Sequence, residues 1–125
     1  MTSILLVEDS KFLRLASERA LIKAGYSVVS TDDGEHALRV AQERIPDLIL
    51  LDMLLPKLGG SEVLRALKKD PATAQIPVVV LSSLPQKNEA KLKKDGAAAY
   101  FEKAKLHLDS SSQSLLDLVK AMLAT

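Results

Sequence analysis

Five short apolar runs, separated by segments with helical spacing, constrain this chain more than any other feature. The runs are Ile4-Leu5-Leu6-Val7, Val28-Val29, Leu48-Ile49-Leu50-Leu51, Pro77-Val78-Val79-Val80-Leu81 and Ala98-Ala99-Tyr100-Phe101. Continuous apolar runs of this length suit strands buried on both faces. Strict alternation of strand and helix predicts a parallel sheet with helices on each side. Right-handed crossovers leave few topologies. The expected architecture is α/β: a flavodoxin-like (βα)5 three-layer sandwich, five parallel strands in the order 2-1-3-4-5. In such a sheet the ligand crevice lies at the carboxyl ends of the first and third strands.

The connecting segments carry helix signals. Leu13, Ala16, Ala20 and Ala24 recur at helical spacing after Ser10, a suitable N-cap, and Gly25 supplies the stop. Ala37, Leu38, Ala41 and Ile45 mark a second helix that ends before Pro46. A third runs from about Ser61 to Lys69, and a polar one from about Gln86 to Lys94, closed by Gly96. The last helix carries Leu115, Leu118, Val119 and Met122.

The length of 125 residues fits one domain, 1–125. With 47% hydrophobic and 26% charged residues, the chain can bury a core, so intrinsic disorder is a poor reading. There is no cysteine, hence no disulfide and no thiolate metal site. No stretch reads as a secretory leader or a membrane span. The expected location is the cytoplasm. A net charge of +1 gives no reason to expect nucleic-acid binding. The start at Met1 suggests a natural N-terminus, and the chain ends with its last helix, so no output domain is expected.

Polar residues stand at the ends of the strands. Glu8 and Asp9 follow the first, Asp52 the third, Ser82 the fourth and Lys103 the fifth. Parallel strands point these ends the same way, so the side chains converge at one edge. Three clustered carboxylates repel one another unless a cation joins them. Oxygen ligands without His or Cys favour Mg²⁺, with Mn²⁺ as a substitute. A carboxylate nucleophile, a hard metal, an ammonium and a hydroxyl are what phosphoryl transfer requires. Each residue taken alone has an ordinary explanation as a cap, a turn residue or a solvated charge. Their joint placement does not.

The stretches LLVEDS (5–10), LILLDMLLPKLGG (48–60), PVVVLSS (77–83) and AYFEKA (99–104) resemble the receiver domain of two-component response regulators, over essentially the whole chain. The resemblance implies that Asp52 accepts a phosphoryl group. Asp9, Asp52 and the Leu54 carbonyl would bind the metal directly, and Glu8 mainly through water. Ser82 and Lys103 would contact the phosphoryl group. Ser82 and Tyr100 would form the conformational switch, and Pro56 and Gly60 would shape the loop after the acceptor. The implied partners are a histidine kinase or phosphotransfer protein and a downstream protein target. The domain would be no conventional enzyme, although it would assist its own phosphorylation and dephosphorylation.

Three positions depart from the family pattern. Glu8 stands where Asp is common, Ser82 where Thr is frequent, and Ala104 where Pro usually follows the lysine. A cis Lys103–Ala104 bond, which a non-proline residue makes only at about 3–4 kcal/mol, is the expectation there. Leu54 and Leu84 should shield the phosphoryl group from water and slow its loss. Lys87, Lys91 and Lys94 share one helical face, either solvated or docking an acidic partner. His36 and His107 are expected at the surface. The alternative function is a receiver-like scaffold that binds partners without phosphorylation. A phosphohydrolase would need an acid at Leu54, and a flavin carrier would need a Ser/Thr/Gly-rich phosphate loop in place of Glu8-Asp9-Ser10.

Overall fold

The computed structural model describes residues 1–53, 55, 57–82, 93–103 and 113–124. Its strands are β1 (Ser3–Val7), β2 (Ser27–Thr31), β3 (Leu48–Asp52), β4 (Val78–Ser82) and β5 (Ala99–Glu102). The helices of at least ten residues among the described residues are α1 (Lys11–Lys23), α2 (Gly34–Arg44), α3 (Gly60–Lys69) and α4 (Gln113–Leu123). The sheet order is β2-β1-β3-β4-β5, and every pairing is parallel. This is the expected architecture.

Strand alternation divides the core into two layers. Leu5, Val7, Ile49, Leu51, Val78 and Val80 face Ala37, Val40 and Ala41 of α2 and Val63, Leu64 and Leu67 of α3. Ile4, Leu6, Leu48, Leu50, Val79, Leu81 and Phe101 face Leu21 of α1 and Leu115 and Val119 of α4. Both faces of β1, β3 and β4 are covered, which is why these strands read as unbroken apolar runs. Each fully buried aliphatic side chain contributes about 1.5–3 kcal/mol relative to exposure.

The structure corrects two readings of the helices. The buried stripe of α1 is Leu13, Ser17 and Leu21, whereas Ala16 and Ala24 are exposed. Ile45 does not pack inward from α2; it caps the helix in the left-handed region at φ 43° and is 47% exposed. Ser10 and Gly25 act as expected. The Ser10 hydroxyl accepts from the Leu13 N–H at 3.4 Å, and Gly25 has φ 103°. Among the described residues no helix is long and apolar enough to cross a membrane.

Candidate functional site at the carboxyl edge of the sheet

β1 and β3 deliver their terminal acids side by side, because Val7 pairs with Leu51 in register. Glu8 follows β1 and is 1% exposed. Its backbone is fixed from two sides. The Glu8 N–H donates to the Thr31 carbonyl at 3.1 Å, and Arg14 Nη1 of α1 donates to the Glu8 carbonyl at 3.0 Å. Asp9 is exposed.

Asp52 closes β3 and is also 1% exposed. The chain then turns under a close contact. The Gly60 N–H donates to the Met53 carbonyl at 3.0 Å, and a Cβ on Gly60 would stand 2.5 Å from the Asp52 carbonyl oxygen and 2.6 Å from Met53 Cα. Only glycine fits there. Ser82, buried, ends β4, and its carbonyl accepts from the Lys103 N–H at 2.8 Å.

Lys103 completes the cluster from beyond β5. Its Nζ donates to Asp52 Oδ2 at 2.9 Å and to Glu8 Oε2 at 3.1 Å, and it lies 2.9 Å from Glu8 Oε1. Burial, then the neighbouring Glu8 carboxylate, push the Asp52 pKa above its ordinary value, with Lys103 opposing them. Burial alone would depress the Lys103 ammonium, but Glu8 and Asp52 outweigh it and hold its pKa above the ordinary lysine value.

Glu8, Asp9 and Asp52 each offer a carboxylate oxygen, and these atoms lie within 4.8 Å of one another. Glu8 Oε1 is buried and faces the Lys103 ammonium at 2.9 Å. Three carboxylates beside the Lys103 ammonium leave surplus negative charge on hard oxygens, which fits a divalent cation such as Mg²⁺. A cavity of about 120 Å³ beside Ser3, Val29, Arg44 and Pro46 sits at the opposite, amino end of the strands and shares no residue with this cluster.

Sequence reasoning placed Glu8, Asp9, Asp52, Ser82 and Lys103 at one edge, and the structure brings them there. Tyr100 is half-buried on β5 and packs against the layer that includes α2 and α3. Of the basic stripe, Lys94 is exposed. Lys87, Lys91, Leu54, Pro56, Leu84, Ala104 and His107 lie outside the described residues, so the Lys103–Ala104 bond lies partly outside them. His36 is exposed.

Two features were missed. The Glu8 side chain grips Lys103 directly. The other is an apolar stripe on the outside of α1: Phe12 is 73% exposed, Leu15 38% and Ile22 52%. Positions 12, 15, 19 and 22 share a helical face, so the spacing was legible, with Arg19 among them.

The family model described as the response regulator receiver domain matches residues 4–109. The chain belongs to the response regulator receiver family. It is 44% identical over 114 residues to a gliding motility regulatory protein of Myxococcus xanthus, covering 90% of this chain and 14% of that protein. It is 39% identical over 103 residues to the polar-differentiation response regulator DivK of Brucella anthropi, covering 81% of this chain and 83% of the relative. Solved structures agree. The chemotaxis protein CheY4 of Vibrio cholerae superposes with a TM-score of 0.87 at 26% identity over 98% of both chains. The receiver domain of the sensor histidine kinase PA1611 of Pseudomonas aeruginosa PAO1 gives 0.85 at 26% identity, covering 99% of this chain and 98% of that one; it is described with magnesium in its active-site cleft. This receiver is therefore a signalling module of the two-component type.

Proposed function

We propose that this receiver takes a phosphoryl group onto Asp52 and signals through a rearrangement of Ser82 and Tyr100. The observation that carries the reading is the meeting of the buried Asp52 and Glu8 with the exposed Asp9 and with Lys103 at one edge of the sheet, the Lys103 ammonium 2.9 Å from the Asp52 carboxylate. Asp52 Oδ would attack the phosphorus of a phosphohistidine. An O–P bond forms, the N–P bond breaks, and the donor imidazole leaves and takes up a proton from solvent.

Asp9 and Asp52 would hold a Mg²⁺ ion, with the Leu54 carbonyl. When bound, that ion supplies charge neutralisation at the transferring oxygens. Lys103 neutralises a second oxygen, and the Ser82 hydroxyl donates to a third. Once held this way, the phosphoryl group favours the arrangement in which Tyr100 turns fully inward. The shift is limited to the difference in interaction between the two states.

The donor would be a histidine kinase or phosphotransfer protein, docking on the exposed Phe12, Leu15 and Ile22 stripe that begins beside the acids. A downstream protein with an acidic surface would answer the positive charge of Lys87, Lys91 and Lys94. The combination of beryllium fluoride and Mg²⁺ tests the reading, since it mimics an aspartyl phosphate. Its binding should shift the Ser82 and Tyr100 NMR resonances in the wild type and leave those of Asp52→Ala unmoved. Equal shifts in both would count against it.

A further inference from the structure

We infer that Glu8 is the resting-state holder of the Lys103 ammonium, and that a divalent cation must draw Glu8 off that ammonium to fill the site, so that residue 8 sets the affinity of the resting chain for Mg²⁺. The inference rests on the phosphoryl reading above and concerns the regulation of the same site.

Reach is the first argument. A glutamate has one methylene more than aspartate, and here the carboxylate folds back far enough for Oε2 to accept the Ser10 N–H at 3.1 Å. In that pose both of its oxygens lie within 3.1 Å of Lys103 Nζ. An aspartate at position 8, with the same backbone, is too short to keep both attachments.

Rigidity is the second. The Glu8 main chain is held through its N–H by Thr31 and through its carbonyl by Arg14. Lys103 is held at its own N–H by Ser82. Neither backbone is free to follow an incoming ion, so the exchange falls to the two side chains.

Charge is the third. The ammonium already serves two buried carboxylates, Glu8 and Asp52. A cation joining the same carboxylates competes with it at short range, where few waters screen the repulsion. As Mg²⁺ enters, Glu8 turns from the ammonium toward the ion. Lys103 keeps Asp52 alone and is left able to meet an arriving phosphoryl oxygen. Metal binding and the release of Lys103 are then one event.

The test is a double-mutant cycle on Mg²⁺ affinity by isothermal titration calorimetry, with folding checked by circular dichroism. Glu8→Asp should tighten Mg²⁺ binding by about tenfold, the order of one charge-assisted hydrogen bond. Lys103→Met should tighten it at least as much. Adding Glu8→Asp to Lys103→Met should change nothing more, because no grip is left to release. An equal effect of Glu8→Asp in both backgrounds, or weaker binding in either, makes Glu8 a plain metal ligand and overturns the inference.

If Lys103→Met fails to fold, the wild type decides. The Glu8 Cδ and Lys103 Cε resonances should move together during a Mg²⁺ titration. Movement around Asp52 with Lys103 unmoved would overturn the proposal while leaving the phosphoryl reading intact. A wild type that takes no Mg²⁺ overturns both.

Discussion

The Lys103 ammonium lies 2.9 Å from Oδ2 of Asp52, although 51 residues separate the two in the chain. β4 stands between their strands in the sheet. The contact exists because β3, β4 and β5 end at the same edge, with Ser82 in register with Glu102 and Asp52 with Leu81. The parallel fold thus converts three distant strand ends into one charged cluster.

This cluster makes stability depend on pH in a defined direction. Burial, then Glu8, raise the Asp52 pKa above the ordinary 3.8, so the folded chain holds that proton more tightly than the unfolded chain. The stabilising contribution is complete below 3.8 and is lost as pH rises through the folded value. Asp52→Asn should therefore raise the melting temperature at neutral pH, by roughly 3–8 °C, in buffer with chelator. The gap should close as pH falls toward the ordinary aspartate value. Thermal melts of both proteins across the acid-to-neutral range check this, and a gap that widens on acidification contradicts it.

Gly60 limits what the loop after Asp52 tolerates. Gly60→Ala puts a Cβ 2.5 Å from the Asp52 carbonyl oxygen, a contact that backbone must relieve. The cost should be about 1–3 kcal/mol in urea unfolding. Because the displaced carbonyl belongs to the proposed acceptor, phosphorylation by a small-molecule donor should slow as well.

Ile45 offers the reverse case. A β-branched residue at φ 43° pays about 1–2 kcal/mol for the left-handed conformation, and its half-exposed side chain packs little in return. Ile45→Asn should stabilise the chain by about 1 kcal/mol in the same unfolding measurement, with phosphorylation unchanged.

The outer face of α1 separates donor types. Phe12→Ser with Ile22→Ser removes most of the exposed stripe without touching the core. Phosphotransfer from a histidine-containing protein donor should fall by about tenfold or more, as the loss of a large apolar anchor costs at an interface. Small phosphoryl donors such as acetyl phosphate need no docking face and should react at the wild-type rate. Equal losses with both donors would move the docking surface elsewhere.

Much of this was legible before any coordinates. The sheet order followed from alternating strands and helices, and Asp52 was placed by the apolar run Leu48–Leu51 leading into it. What was not legible depends on side-chain direction and reach. On α1 the small Ala16 and Ala24 imitate a core stripe in the sequence, while the true stripe passes through the polar Ser17. At Ile45 the helix stop was readable from Pro46, but the left-handed cap swings the side chain outward, which no periodicity reports. At Glu8 the sequence marks an acid at the site, yet only geometry shows the ammonium of Lys103 resting against both its oxygens.

The central claim is that Asp52 carries the phosphoryl group. The direct measurement is intact-protein and peptide mass spectrometry after incubation with acetyl phosphate and Mg²⁺. The account predicts the mass gain of one phosphoryl group, mapped to the peptide holding Asp52, and none in Asp52→Ala. An equal gain in the Ala variant, or a wild type that stays unmodified under conditions where a known receiver reacts, would contradict it.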